Sequence, residues 1–231
     1  MIGKQDKKVL GIIPAGRDNR TLPNKNIYPF KGRPVIEYAI ECGLHSSTID
    51  RVMVSTDDEE IAEIARKVKA EVPFLRPKEL SIDSAHNIPV MKHAANYLIE
   101  EENWRPDIIV LVWPTYPFRR PEDIDLCVEK LITTDCDSVQ SVSLASDHPY
   151  FLLLVGDEDI PKPYVIGNNV FEKFDEHDNL RPIYRANGLV GVTKADQVLM
   201  SDKFYGSDTR VAVMDTWRTF DIDTLHKLDT L

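Results

Sequence analysis

This sequence predicts an α/β fold, a parallel sheet covered by helices on both faces, and three observations support that prediction. Four short apolar runs rich in Val and Ile recur, "KVLGIIPA", "RVMVSTD", "DIIVLVWPT" and "DSVQSVSL", each the length of a buried strand. The segments between them carry apolar residues at helical spacing. Strand and helix therefore alternate along the chain, the order that places parallel strands side by side with helices covering them.

The elements follow in order. The first run ends at Ala15 and opens through Gly16 into a stretch holding Arg17, Arg20, Lys25, Lys31 and Arg33. In "RPVIEYAIECGL" Val35, Ile36, Ala39 and Ile40 share one helical face, as do Ile61, Ile64, Ala65 and Val68 in "DEEIAEIARKVKA". "NIPVMKHAANYLIEEE" and "PEDIDLCVEKLITT" continue the series, the second starting with Pro121 and two acids in its first turn. From about Leu144 the pattern breaks into short strand-like pieces with prolines and glycines. An antiparallel insertion over 145–190 is expected there, within a single domain spanning 1–231. "DTRVAVMDTWRTFDIDTLHKLDTL" then returns to a strand and a helix start.

The 231 residues are 42% hydrophobic and 29% charged, enough to bury a sizeable core. A formal net charge of -10 argues against a broad nucleic-acid-binding face, which needs clustered surface Lys and Arg. Against that acidic background a local basic cluster carries more meaning. No apolar run is long enough to span a membrane, and the N-terminus turns polar too soon for a secretory signal, so the cytoplasm is the expected compartment. Cys42, Cys127 and Cys136 are far apart, with no CxxC and no His at ligand spacing, and are expected to be buried small hydrophobes.

In parallel sheets ligands bind beyond the carboxyl ends of the strands, and the basic stretch begins where the first strand ends. It contains neither GxxxxGK[ST] nor GxGxxG. Anion binding and a solvated polar connection both fit it. In "FDID", Asp221 and Asp223 stand two apart and point to one side of an extended segment, where a cation between them would relieve their repulsion. The alternative is that Asp223 or Thr224 only caps the helix that follows. "VLVWPTYPFRRPEDID" places a loop at the same edge of the sheet; Arg119 and Arg120 there fit a ligand contact or plain solvation, and Trp113 fits packing.

Taken together, "IIPAGRDNRTLPNKNIYPFKGRPVIEYAI", "VMVSTDDEEIAEIA", "FLRPKELSIDSA", "LVWPTYPFRRPEDID", "YRANGLVGV" and "FDIDT" resemble, in order and spacing, the acylneuraminate cytidylyltransferases. That is the CMP-sialic acid synthetase family, with relatives for other nonulosonic acids and for 3-deoxyoctulosonate. The resemblance implies a Rossmann-like nucleotidyltransferase fold, a three-layer sandwich with a mostly parallel sheet and a protruding segment that makes a homodimer. It also implies transfer of CMP from CTP to the anomeric hydroxyl of an acidic sugar, with Mg²⁺ (or Mn²⁺) as cofactor. By resemblance Ala15, Gly16, Arg17, Asn19, Arg20, Lys25 and Asn26 surround the CTP triphosphate, and Arg76 and Asp83 face the cytidine. Asp221 and Asp223 match the metal-binding acids and, with Arg20 and Lys25, carry catalysis. Trp113, Thr115, Arg119, Arg185, Asn187, Phe204 and Tyr205 fall on the acceptor side.

The chain departs from the family at several points. It reads "AGRDNR" where ARGGSK is usual, so Gly16 stands where an Arg is expected. Trp113 replaces a Gln, Gly191 replaces an aromatic, and Tyr150-Phe151 follow "HP" where a basic residue is expected. These departures fall mainly on the acceptor side, which leaves deoxyoctulosonate or a phosphonate open as acceptors. A GT-A glycosyltransferase would place its DxD after a middle strand instead of near residue 222. A non-catalytic nucleotide-binding homologue would have no need to keep Arg20, Lys25, Asp221 and Asp223 together.

Overall fold

The computed structural model describes residues 6–17, 24–81, 87–155, 161–165 and 180–224. The first run forms β1 (Val9–Pro14), in which alternate side chains enter two different cores. Val9 and Ile13 face one layer of helices, while Leu10 and Ile12 face the other. Such two-sided burial is why the run is apolar without a break. After the short hairpin β2 (Pro29–Phe30) and β3 (Arg33–Pro34) comes α1 (Val35–His45), which buries Val35, Ile36, Ala39 and Ile40. β4 (Arg51–Ser55) leads to α2 (Glu59–Lys67), started by the Asp58 carboxylate accepting from Ile61 N at 3.0 Å.

The next elements are α3 (Asn87–Glu102), β5 (Ile108–Leu111), α4 (Pro121–Thr134) and β6 (Ser138–Leu144). Pro121 sits at the start of α4, and the Asp123 carboxylate accepts from Arg120 N at 2.9 Å. A small antiparallel pair, β7 (Leu153–Val155) with β8 (Pro161–Pro163), lies within the expected insertion. β9 (Tyr184–Lys194), α5 (Ala195–Ser201) and β10 (Thr209–Val213) complete the described elements.

The six-stranded sheet has the order β10-β6-β9-β5-β1-β4. β1 pairs in parallel with β4 and β5, and β10 with β6, while β9 runs antiparallel between β5 and β6. The sheet is thus mostly parallel, and its one reversed strand begins inside the 145–190 stretch. Helices α1, α2 and α4 cover one face, and α3 and α5 cover the other. All three cysteines are buried and unpaired. Among the described residues no helix is long and apolar enough to cross a membrane.

Candidate active site

The carboxyl ends of β1 and β4 meet a buried arginine. Arg76 donates through Nη2 to Asp57 Oδ1 at 3.3 Å and through Nε to Ser81 Oγ at 3.2 Å. Burial holds its guanidinium below the ordinary value, against the pull of Asp57. Asp57 Oδ1 also accepts from Arg17 N at 3.3 Å, and the Arg17 guanidinium pairs with Asp58 at 2.5 Å. Burial alone would raise the Asp58 carboxyl, but the bonds from Arg17 and Ile61 leave it lowered. Asp57 and Asp58 thus organise the turn that carries Arg17.

The basic stretch after β1 divides. Arg33 forks onto Glu41 at 2.6 and 2.7 Å, and Lys31 lies 5.5 Å from the centre of the Phe118 ring, so both serve packing and local pairing. Asn26 is buried and donates to Gly16 O at 2.7 Å, drawing the returning loop against the end of β1. Lys25 reaches further, placing Nζ 2.9 Å from Asp223 Oδ2, a residue 198 positions later. Arg20, Asn19 and Asp83 lie outside the described residues.

The "FDID" segment is anchored beside the loop that follows β5, since Ile222 N donates to Thr115 O at 3.0 Å and the Ile222 side chain is buried. Asp221 and Asp223 flank that anchor. Asp221 Oδ1 accepts from Asp223 N at 3.1 Å; the helix that Asp223 or Thr224 would cap in the alternative reading lies outside the described residues. Asp223 Oδ1 is a buried acceptor with no partner among the described residues. The Tyr116 hydroxyl is pushed up by burial and then by its bond to Asp221. Its Oη lies against Gly188, whose φ of 71° suits glycine and where a Cβ would sit 2.7 Å from that oxygen.

Gly188 also lines a cavity of about 550 Å³ between β5, β9, α3 and the segment after α5. Trp113, Phe204 and Tyr205 are brought together there, with Ile88, Met91 and Leu111. The Phe204 ring fills the space over Gly191, where a Cβ would come within 2.9 Å of it. The aromatic missing from position 191 is thus replaced by one from another part of the chain.

The remaining residues of the acceptor group separate from these. Arg185 joins Asp221, Phe118 and Trp217 around a second hollow. Thr115 is buried. Asn187 is buried too, accepting through Oδ1 from Ser141 Oγ at 2.7 Å and Leu189 N at 3.0 Å, while its Nδ2 has no partner among the described residues. Arg119 is not solvated, and its Nη1 has no partner among the described residues. It is 6% exposed, and its Nε donates to Leu189 O at 2.7 Å while Nη2 donates to Trp113 O. It ties the loop after β5 to β9. Sequence reasoning passed over Tyr116, Asp57 and Asp58, although all three lie inside stretches that carried the resemblance; no spacing rule marks a tyrosine as the partner of a distant acid.

With its mostly parallel sheet, and with Lys25 meeting Asp223 beside the loop that follows β5, the molecule falls among the α/β nucleotidyltransferases. A family model described as cytidylyltransferase matches residues 10–206, and the chain belongs to that family. It is 31% identical to the CMP-N,N'-diacetyllegionaminic acid synthase of Legionella pneumophila over 94% of this chain and 91% of that one. It is 30% identical to the pseudaminic acid cytidylyltransferase of Campylobacter jejuni, over 96% of this chain and 94% of that one. The fold is shared with a CMP:2-keto-3-deoxy-manno-octonic acid synthetase solved with CTP, at a TM-score of 0.67 and 13% identity, covering 97% of this chain and 99% of that one.

Proposed function

We propose that this chain transfers CMP from CTP to the anomeric hydroxyl of an acidic sugar of the nonulosonic class, releasing pyrophosphate. The observation that carries the reading is the contact between Lys25, from the loop after β1, and Asp223, near the end of the described chain. It puts a cation suited to phosphate oxygens beside a carboxylate suited to a metal. The relatives named for legionaminic and pseudaminic acids supply the acceptor class. The cytoplasm is the compartment that fits such a reaction.

Among the described residues no three His, Cys, Asp or Glu side chains gather around one point. Mg²⁺ is commonly held by one or two carboxylates together with substrate phosphates, and the unpartnered Asp223 Oδ1 beside Asp221 fits that need. Mg²⁺ or Mn²⁺ held there would polarise the α-phosphate and favour loss of the hydroxyl proton. The protein's own groups do the rest by charge and position. Lys25 exchanges Asp223 for a β- or γ-phosphate oxygen, leaving that carboxylate free, and Arg17 stays on Asp58 at the rim. Tyr116 holds Asp221 in place. No covalent nucleophile is called for, and burial pushes the Cys42 and Cys127 thiols up to about 12, so neither is a thiolate at neutral pH.

Pyrophosphate release from CTP with a panel of sialic, legionaminic, pseudaminic and deoxyoctulosonic acids tests the proposal. Release should need one of the acids and no nucleotide-sugar donor; silence with every acid would overturn it. Lys25→Ala should weaken CTP binding about tenfold to a hundredfold, the loss of one charge-assisted hydrogen bond, while acceptor binding changes little. Calorimetric titration with CTP reads this directly. Unchanged affinity would leave Lys25 with no role beyond its ion pair with Asp223.

The insertion supports a dimer on this reading. Leu152, Leu154 and Tyr164, in and around the β7–β8 pair, are 41%, 53% and 59% exposed. An apolar patch of this kind is naturally covered by a two-fold copy. Light scattering at micromolar concentration should give twice the 26.4 kDa chain mass, and a monomer would count against the dimer.

A further inference from the structure

We infer that Lys203 is the counter-ion for the acceptor's carboxylate. The inference rests on the acceptor reading above. Among the described residues two charged ones line the 550 Å³ cavity, Asp202 and Lys203, both exposed at its rim. Asp202 is already engaged, since its Oδ1 accepts from Lys92 Nζ at 2.7 Å. Lys203 has no ion pair among the described residues, although its backbone is fixed by N–H donation to Gln197 O at 3.0 Å.

The other cations expected on the acceptor side are placed elsewhere. Arg119 donates through Nε and Nη2 to the carbonyls of Leu189 and Trp113, its Nη1 has no partner among the described residues but does not line this cavity, and Arg185 lines the second hollow. Among the described residues Lys203 is therefore the cation that lines this cavity. Around it, Met91, Leu111, Trp113 and Phe204 offer apolar surface. A lysine at a helix end is often only solvated and favoured by the helix dipole. Here the exposed Lys203 stands at the rim of a concave, mainly apolar wall, so an anion paired with it would set the rest of its ligand against carbon. A ligand that satisfies both must join one carboxylate to apolar substituents. A diacylated deoxy acid does so; a polyhydroxylated acid would leave hydroxyls facing carbon.

The test uses the full chain with CTP, N,N'-diacetyllegionaminic acid and the carboxamide made from that acid. Lys203→Met should raise the acceptor KM about tenfold to a hundredfold, as expected for one charge-assisted bond, without moving the KM for CTP. Lys203→Arg should restore most of the loss. Wild type should bind the acid in preference to its carboxamide by a similar factor, and Lys203→Met should bind the two alike. A purely structural lysine would not change that preference. If wild type turns over but Lys203→Met still discriminates as wild type does, the Lys203 assignment falls alone. If wild type releases no pyrophosphate with any nonulosonic acid, the acceptor reading falls and this inference with it.

Discussion

Asp223→Asn is expected to cut turnover by about a hundredfold to a thousandfold, the size of effect seen when one preorganised electrostatic group is removed. The substitution keeps the shape of the side chain, and an amide oxygen still accepts from Lys25. It loses the charge that a divalent cation would need. Asp223 is partly exposed at the site edge, and the buried Ile222 holds the segment whether or not residue 223 is ionised. Melting temperature should therefore change little. Asp221→Asn should behave similarly in turnover, with an added effect because Asp221 also holds Asp223 N and the Tyr116 hydroxyl. EDTA should silence wild type to the same degree, and excess Mg²⁺ should restore it. Near-normal turnover in Asp223→Asn, or indifference to EDTA, would show that the two acids hold the chain end together and nothing more.

The legible part of this protein is the part fixed by local pattern. β1, β4 and β5 are buried on both faces and read as short apolar runs bounded by polar residues, and β6 is marked by its Val pair although it also buries Ser138, Ser141 and Ser143. The helices between them repeat apolar residues at helical spacing, and Pro121 with its following acids marks the start of α4. β9 was not legible as a sheet strand. Gly188 and Gly191 interrupt its run, and its place between β5 and β6 depends on pairings with residues far away in sequence. The same distinction holds at the site. Asp221 and Asp223 are readable because two like charges stand two residues apart. The Lys25 contact spans 198 positions and leaves no local mark. Lys203 is likewise invisible in sequence, since only the folding of α5 against α3 places it at a cavity wall.

Arg119→Ala should be the most destabilising substitution among the residues expected on the acceptor side. Each of its two bonds joins a charged donor to a carbonyl, and removal leaves Leu189 O and Trp113 O without that donor in a buried place. Hydrogen bonds to charged groups contribute about 1.5–3 kcal/mol each, so a loss of about 3 kcal/mol or more is expected. For a domain of this size that corresponds to a fall in melting temperature of about 6–12 °C. Burial opposes part of this, because it lowers the guanidinium's pKa and makes the charge costly to keep inside. The arginine's two carbonyl partners, one in the loop after β5 and one on β9, explain why a cation is kept there at all: a rigid planar fork can bridge them. Arg119→Lys keeps the charge without the fork and should recover only part of the lost stability. Thermal unfolding followed by circular dichroism measures all three proteins. An unchanged melting temperature together with a raised acceptor KM would return Arg119 to the acceptor; a lowered melting temperature with KM intact in the folded fraction would establish it as the clamp between β9 and the loop that carries Trp113, Thr115 and Tyr116.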